Sequence, residues 1–478
     1  MPAIRGTRGG MAAWKTKRLG SAFVAALIGM MPALAFAHAG ERGFVLLMPR
    51  GYALWGGTLA VAASFLVLLA IPERPVGRFA AAELRLGRLP ALPPILLSAL
   101  SFALMLALIV AGLTGTRDPL ANPLPLTVWT LWWGGLTAAH ALFGNIWAAI
   151  NPWSAPHRAL RTVLRLPEAP LAYPRRLGHW PAVATFLGFA WFELVDPAPD
   201  DPARLALAVS AYAAATLLGM LLFGARAWLA HAEAFSIFFR FVSLIAPVQA
   251  ERDRGLTLTW PGAALVRHGP LSLSATLFVL LMLATVSFDG LSKTFWWLGL
   301  GGINPLEFPG RTAVMGRNSL GLLMSWAALS TAFGIAVLLG GRLARAPSLA
   351  LGAFALSILP IALAYHLAHY LPAFLVNAQY ALSALSDPFA RGWDLIGLAH
   401  RHPTTSFLAD YHSVAVLWTV QSALIVLGHV LAVLVAHAIA LERFGTGRAA
   451  FLSQLPLALL MIAYTAFGLW LLSAPTAG

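Results

Sequence analysis

The sequence contains no cysteine. That excludes disulfides, a thiolate metal centre and a cysteine nucleophile, and it leaves His, Asp, Glu and backbone or water oxygens as ligands for any metal. Charge is scarce as well. Asp, Glu, Lys and Arg make up 10% of the 478 residues, against about 25% in a soluble domain. Several catalytic patterns are also missing: the Gly-x-x-x-x-Gly-Lys-Ser/Thr phosphate loop, the Gly-x-Ser-x-Gly nucleophile elbow and the His-Glu-x-x-His zinc pair. Neither an ATP-driven pump nor an elbow-type serine hydrolase is expected.

What remains is apolar. Hydrophobic residues are 59% of the chain and mean hydropathy is +0.77. Continuous apolar runs of about 20 residues recur from end to end, the length a helix needs to cross a bilayer. A β-barrel would show short alternating segments instead. The expected fold class is all-α, a polytopic transmembrane helix bundle of about ten spans after a cleaved signal peptide. The spans fall near 52–71, 93–113, 127–149, 180–195, 205–224, 271–289, 318–340, 348–369, 413–436 and 454–473. Residues 1–37 read as the signal, with Arg5, Arg8, Lys15, Lys17 and Arg18 before an apolar stretch and Ala35-Phe36-Ala37 as the cleavage site. An uncleaved anchor helix is the rival reading. Residues 38–478 then form a single transmembrane domain whose first partner is the lipid bilayer.

The net charge of +14 does not point to nucleic acid, because no compact basic domain interleaved with aromatics exists to bind it. Arginines in cytoplasmic loops explain the excess. With the mature amino terminus outside, loops assigned to the inside hold 18 arginines and outside segments 9 basic residues. The expectation is a multi-pass protein of the bacterial inner membrane with both mature termini outside. Leu229 to Pro247, containing His231, Glu233 and Arg240, looks amphipathic and is expected to lie along the interface.

Against this background the run Ala364-Tyr365-His366-Leu367-Ala368-His369-Tyr370 stands out. Residues three apart are neighbours on a helix surface, so His366 and His369 point at one spot. His412, after Asp410 and Tyr411, opens the ninth span on the same side, Asp289 closes the sixth, and Glu193 with Asp196 closes the fourth. Imidazoles and carboxylates in one layer suit a divalent metal, zinc or copper, with His366, His369 and His412 as candidate ligands. Such a metal brings the pKa of its water to about 7. Asp289 or Glu193 would orient a histidine or act as general base. The plain alternative is that the histidines are hydrogen-bonded between helices and the acids cap spans. Deeper in the membrane lie His140, His429 and His437, which mark either interhelical hydrogen bonds or a proton or cation path. The second function class is therefore a transporter or metal-handling membrane protein. His157, His179, His231 and His268 fall among arginines and are expected to be solvated or to face headgroups.

Several stretches carry a resemblance. They are Phe143-Gly144-Asn145-Ile146-Trp147 with Asn151-Pro152-Trp153, Phe189-Ala190-Trp191-Phe192-Glu193-Leu194, Phe288-Asp289-Gly290, the run containing His366 and His369, and Leu385-Ser386-Asp387-Pro388-Phe389-Ala390-Arg391-Gly392-Trp393-Asp394. In these the chain resembles the bacterial polytopic membrane proteins known as fenitrothion hydrolases, along nearly all of its mature length. The resemblance implies hydrolysis of an apolar organophosphorus triester with release of a nitrophenol. A substrate that partitions into lipid fits a site at the outer membrane face. A second membrane subunit stays open as a partner.

Overall fold

A computed structural model of the chain describes residues 50–70, 81–87, 92–251, 255–308, 310–346, 349–398, 402–445 and 447–476. The expected signal at 1–37 lies outside the described residues. The chain is mostly helical: α1 (Arg50–Ala70), α2 (Pro94–Thr114), α3 (Trp180–Leu194), α4 (Pro202–Phe223), α5 (Ala234–Ser243), α6 (Leu273–Ser292), α7 (Arg311–Leu343), α8 (Leu359–Ser386), α9 (Tyr411–Phe444) and α10 (Arg448–Ser473). Local chemistry sets the starts. Asp201 accepts from the Arg204 amide at 2.9 Å to cap α4, and Asp410 accepts from the Ser413 amide at 2.8 Å to cap α9. Proline occupies the first turn of α2 and of α4, where its missing N–H costs nothing.

Seven of the described helices are long and apolar enough to cross a membrane: α2, α4, α6, α7, α8, α9 and α10. The other three expected spans are shorter or broken. The continuous apolar part of α1 is Leu54–Val67, and α3 has 15 residues. The stretch expected at 127–149 breaks at Gly144. Burial sorts the helices: α6 is 83% buried over its apolar window, whereas α2 is 22% and α7 28% buried. Thus α6 is the axis of the bundle. The outer face of α2 exposes Leu96, Leu100, Leu104 and Leu113, an apolar surface that only lipid covers comfortably.

At Gly340 the backbones of α7 and α10 nearly touch, since a Cβ there would fall 2.0 Å from the Ser453 carbonyl oxygen. Small residues permit such approaches between membrane helices. Gly340→Ala is expected to destabilise the fold by about 1–3 kcal/mol, the usual cost of overpacking. A lower thermal unfolding midpoint in detergent checks this, and an unchanged midpoint would show that the two helices have slack.

Two irregularities shape the site. Leu126–Leu136 is a π-helical stretch, wider than an α-helix, that continues as the α-turns Thr137–Phe143. Near the change of register the Trp133 carbonyl receives both the Thr137 hydroxyl at 2.6 Å and His366 Nε2 at 2.9 Å. In α8, Pro372 lies inside the helix and does not end it. Its absent N–H frees the carbonyl four residues back. That carbonyl belongs to Ala368, and Gln421 Nε2 donates to it at 2.7 Å. The expected span 348–369 is corrected accordingly. Two 3₁₀ turns, Leu351–Ala353 and Ala355–Ile358, precede α8, which runs on to Ser386. His366 and His369 therefore lie within the helix, not at its outer end.

Two further expectations change. The all-α reading misses a three-stranded antiparallel sheet of β1 (Glu83–Gly87), β2 (Val248–Glu251) and β3 (Gly255–Thr259) in the order β1-β3-β2. Its strands join two arginine-bearing connections that the charge count places on one side. Helix α5, expected along the interface, is instead buried almost all round, including Phe235, Ile237, Phe238, Phe239 and Phe241. Glu233 caps it by accepting from the Phe235 and Ser236 amides at 3.1 and 2.6 Å.

Candidate functional site

Asp289 sits in the last turn of α6, buried. One carboxylate oxygen is 2.6 Å from His369 Nε2 on α8 and the other 2.6 Å from Lys293 Nζ, four residues further along its own chain. A buried carboxylate needs such partners. Tyr370, beside His369, donates its hydroxyl to Glu193 Oε1 at 2.5 Å and lies 3.5 Å from Asp289 Oδ2. Glu193 comes from the last turn of α3. Arg311, which opens α7, donates to the carbonyls of Glu193 at 2.9 Å and Asp196 at 3.3 Å. Among the described residues no carboxylate forms an ion pair with Arg311, so its charge is held in place without being neutralised.

These groups line a cavity of about 260 Å³ that also takes in Asp200, Asn377, Trp129 and Phe374. One wall is thus polar and charged, and another is aromatic. Asp200 keeps contact with solvent at the rim. Crowding by the protein raises its carboxyl above the ordinary range, against the pull of Arg311 and Lys293. Glu193, Leu194 and Tyr370 also wall a second, smaller chamber of about 20 Å³, faced by Trp133, Phe186 and Phe238. It has room for about one water.

The structure brings Glu193, Asp289 and His369 together, as their shared layer suggested. It does not assemble the expected metal ligands. His366 spends Nε2 on the Trp133 carbonyl, with its ring 4.7 Å from those of Trp133 and Tyr370. His412 is exposed in the first turn of α9 with its ring against Tyr411. Among the described residues no group of three or more His, Asp or Glu is placed to hold a metal ion. The physical reason lies at Asp289, where the Lys293 ammonium already stands as the cation. Among the described residues, His366, His369 and His412 do not form a ligand group for a zinc or copper ion.

Asp196 takes its plain role. It accepts from the Ala198 amide at 2.9 Å and from Arg204 at 2.8 Å, and so holds the α3–α4 turn. Both nitrogens of His140 are engaged, by the Leu136 carbonyl at 2.7 Å and the Trp147 amide at 2.8 Å, which staples the break after Phe143. His437 contacts Gln454 Nε2 at 3.0 Å. His429 bonds the Ile425 carbonyl through Nδ1 at 2.8 Å, while its buried Nε2 has no partner among the described residues.

Sequence reasoning missed Lys293 and Arg311. Lys293 had a readable signal, since an acid followed four residues later by a cation is a helical pair. Arg311 had none, because its role depends on a fold that carries the end of α3 to the start of α7. Tyr370 stood in the quoted run without a role.

The fold and the site together define a many-helix bundle dressed for lipid, with a pocket of ionisable groups near one end. Comparison with protein-family models, with curated proteins and with solved structures found no match to the chain.

Proposed function

We propose that the chain is a membrane-embedded hydrolase of apolar organophosphorus triesters of the fenitrothion type, and that it works without a metal ion. The observation that carries this reading is the His369–Asp289 pair on the wall of a pocket that also holds Arg311 and Lys293. By accepting the Nε2 proton, Asp289 fixes the tautomer and leaves Nδ1 of His369 as the base. A water losing its proton to Nδ1 attacks phosphorus. The new oxygen–phosphorus bond forms as the bond to the aryloxy group breaks, and the nitrophenolate leaves with the electron pair. Arg311, reinforced by Lys293, faces the negative charge that develops on the phosphoryl group. Tyr370, anchored on Glu193, holds the inner wall, and Trp129 with Phe374 offers the aryl ring a surface. In this reading the chain is a multi-pass protein of the bacterial inner membrane, and the pocket opens at its outer face. Support comes from the Phe295 amide donating to the Pro475 carbonyl at 3.0 Å, which puts the carboxyl terminus beside the Lys293 end of α6.

Nitrophenol release from fenitrothion by membranes containing the chain tests the reading. Release is expected and should withstand a chelator. Loss on chelation, restored by a divalent metal, would overturn the metal-free mechanism; no release from folded, inserted protein would overturn the hydrolase.

Asp200 supplies a pH test. Protonated, it leaves Arg311 free for an anion; ionised, it competes for that charge. Inhibition by a dialkyl phosphate, a product analogue, should weaken as pH rises through the Asp200 titration. Asp200→Asn should flatten that part of the profile, and a profile unchanged by the substitution would remove Asp200 from the rim's electrostatics.

The transport reading keeps one favourable observation, the unpartnered Nε2 of His429. It requires ion flux in proteoliposomes that His429→Gln abolishes; a tight, inert bundle counts against it.

A further inference from the structure

At the opposite end of α3 from the pocket, about 20 Å away at 1.5 Å per residue, three groups able to bear positive charge meet. His179 directly precedes α3, and its amide donates to Ser274 Oγ at 2.9 Å. Its ring centroid is 5.2 Å from that of His231, at 73°. Tyr173 stacks on His231 at 5.7 Å and anchors its hydroxyl on the Gly178 carbonyl at 2.8 Å. Arg240 reaches back along α5 to donate to the Ala230 carbonyl at 2.8 Å, which fixes the guanidinium beside His231. Sequence had suggested two separately solvated histidines; the structure pairs them.

This cluster is incomplete as it stands. Arg240 is half-buried and forms no ion pair among the described residues, and a charge withdrawn from water without a counter-charge is costly. His179 Nδ1 is buried with no hydrogen-bond partner among the described residues, although buried polar atoms are nearly always satisfied. His231, by contrast, is exposed and gives the cluster access to solvent. All three features are met at once by an anion rich in acceptor oxygens. The start of α3 adds the positive end of a helix dipole to the same spot. Arg175 and Arg176, exposed on the preceding turn, provide long-range attraction.

We propose that Arg240, His179 and His231 form a binding site for a phosphate group. Charge-assisted hydrogen bonds from the guanidinium hold it, and the imidazoles supply the remaining donors. Two sources share this chemistry: the headgroup of an anionic phospholipid and free phosphate. Basic pockets between membrane helices on the arginine-rich side suit the first.

The test uses the full chain in a non-ionic detergent, titrated with dihexanoylphosphatidylglycerol and separately with inorganic phosphate by calorimetry. Saturable binding is expected, weakened about tenfold or more by Arg240→Gln and by His231→Gln, the loss of one bond to a charged group. Arg175→Gln with Arg176→Gln should cost only a few-fold, as exposed charges do. Binding of the lipid with no competition from inorganic phosphate identifies a headgroup site. Competition identifies a site for the free anion as well. Failure of both probes to bind, or binding indifferent to Arg240→Gln and His231→Gln, overturns the proposal. Should Arg240→Gln fail to fold, His231→Gln at the exposed ring decides alone.

Discussion

His369→Gln is expected to lower triester hydrolysis by about 10²–10⁴-fold, the range a positioned general base contributes. Glutamine can still donate to Asp289, so the local bonding and the bundle should survive. What disappears is the nitrogen that takes the proton. His369→Ala sharpens the test, because imidazole added to the medium fits the vacated space and should restore part of the rate. A kcat/KM left unchanged at equal amounts of folded protein would remove His369 from the reaction. The comparison is informative because His366, one turn away, is spent on the Trp133 carbonyl at 2.9 Å. His366→Gln should therefore act on folding yield more than on turnover.

The second large effect concerns stability. Asp289→Ala strips the common partner from Lys293 and His369 and is expected to cost about 1–3 kcal/mol, since Asp289 is buried while Lys293 and His369 keep part of their surface in water. Most of that penalty comes from the charge left behind. Asp289→Ala combined with Lys293→Met should consequently recover much of the loss, a non-additivity that adjacent groups show and distant ones do not. Thermal unfolding in detergent reads both variants. Strict additivity would mean that Asp289 and Lys293 do not sense one another, contrary to their 2.6 Å separation. Neither variant is expected to hydrolyse substrate, since both lose the group that orients His369.

Much of this architecture is legible in the sequence, for reasons that can be named. Long apolar runs bounded by Pro, Asp and Gly mark helices within a few residues, as for α2, α4 and α6, because a membrane span has few other ways to satisfy its backbone. Depth is legible too, and it is depth that groups Glu193, Asp289 and His369. Convergence is not. Whether His366 and His412 join that group depends on helix rotation and on a continuation of α8 past Pro372. A proline in that position reads as a stop unless Gln421, more than forty residues on, is known to satisfy the freed carbonyl of Ala368. The π-helical stretch at Leu126–Leu136 has no simple periodic signature either. The burial of α5 is hidden for a related reason. Arg240 and Glu233 give it an interfacial look, yet Glu233 caps the helix from inside the bundle and Arg240 sends one nitrogen back to the Ala230 carbonyl. The strands were missed because Glu83-Leu84-Arg85-Leu86-Gly87 is too short to stand out from a charged loop.

That small sheet carries a consequence for the order of assembly. β1 emerges from the ribosome soon after α1, but β3, its only neighbour in the sheet, follows only after α2 to α5. Until then β1 has an unpaired edge, and closing so long a loop is slow because chain entropy is lost before any ladder bond is gained. The closing of the sheet should therefore wait for β3, a latch that records the arrival of α2 to α5 ahead of the central helix α6. Nascent chains halted before Gly255 should leave the segment around Glu83 open to protease, and chains halted well beyond Thr259 should protect it.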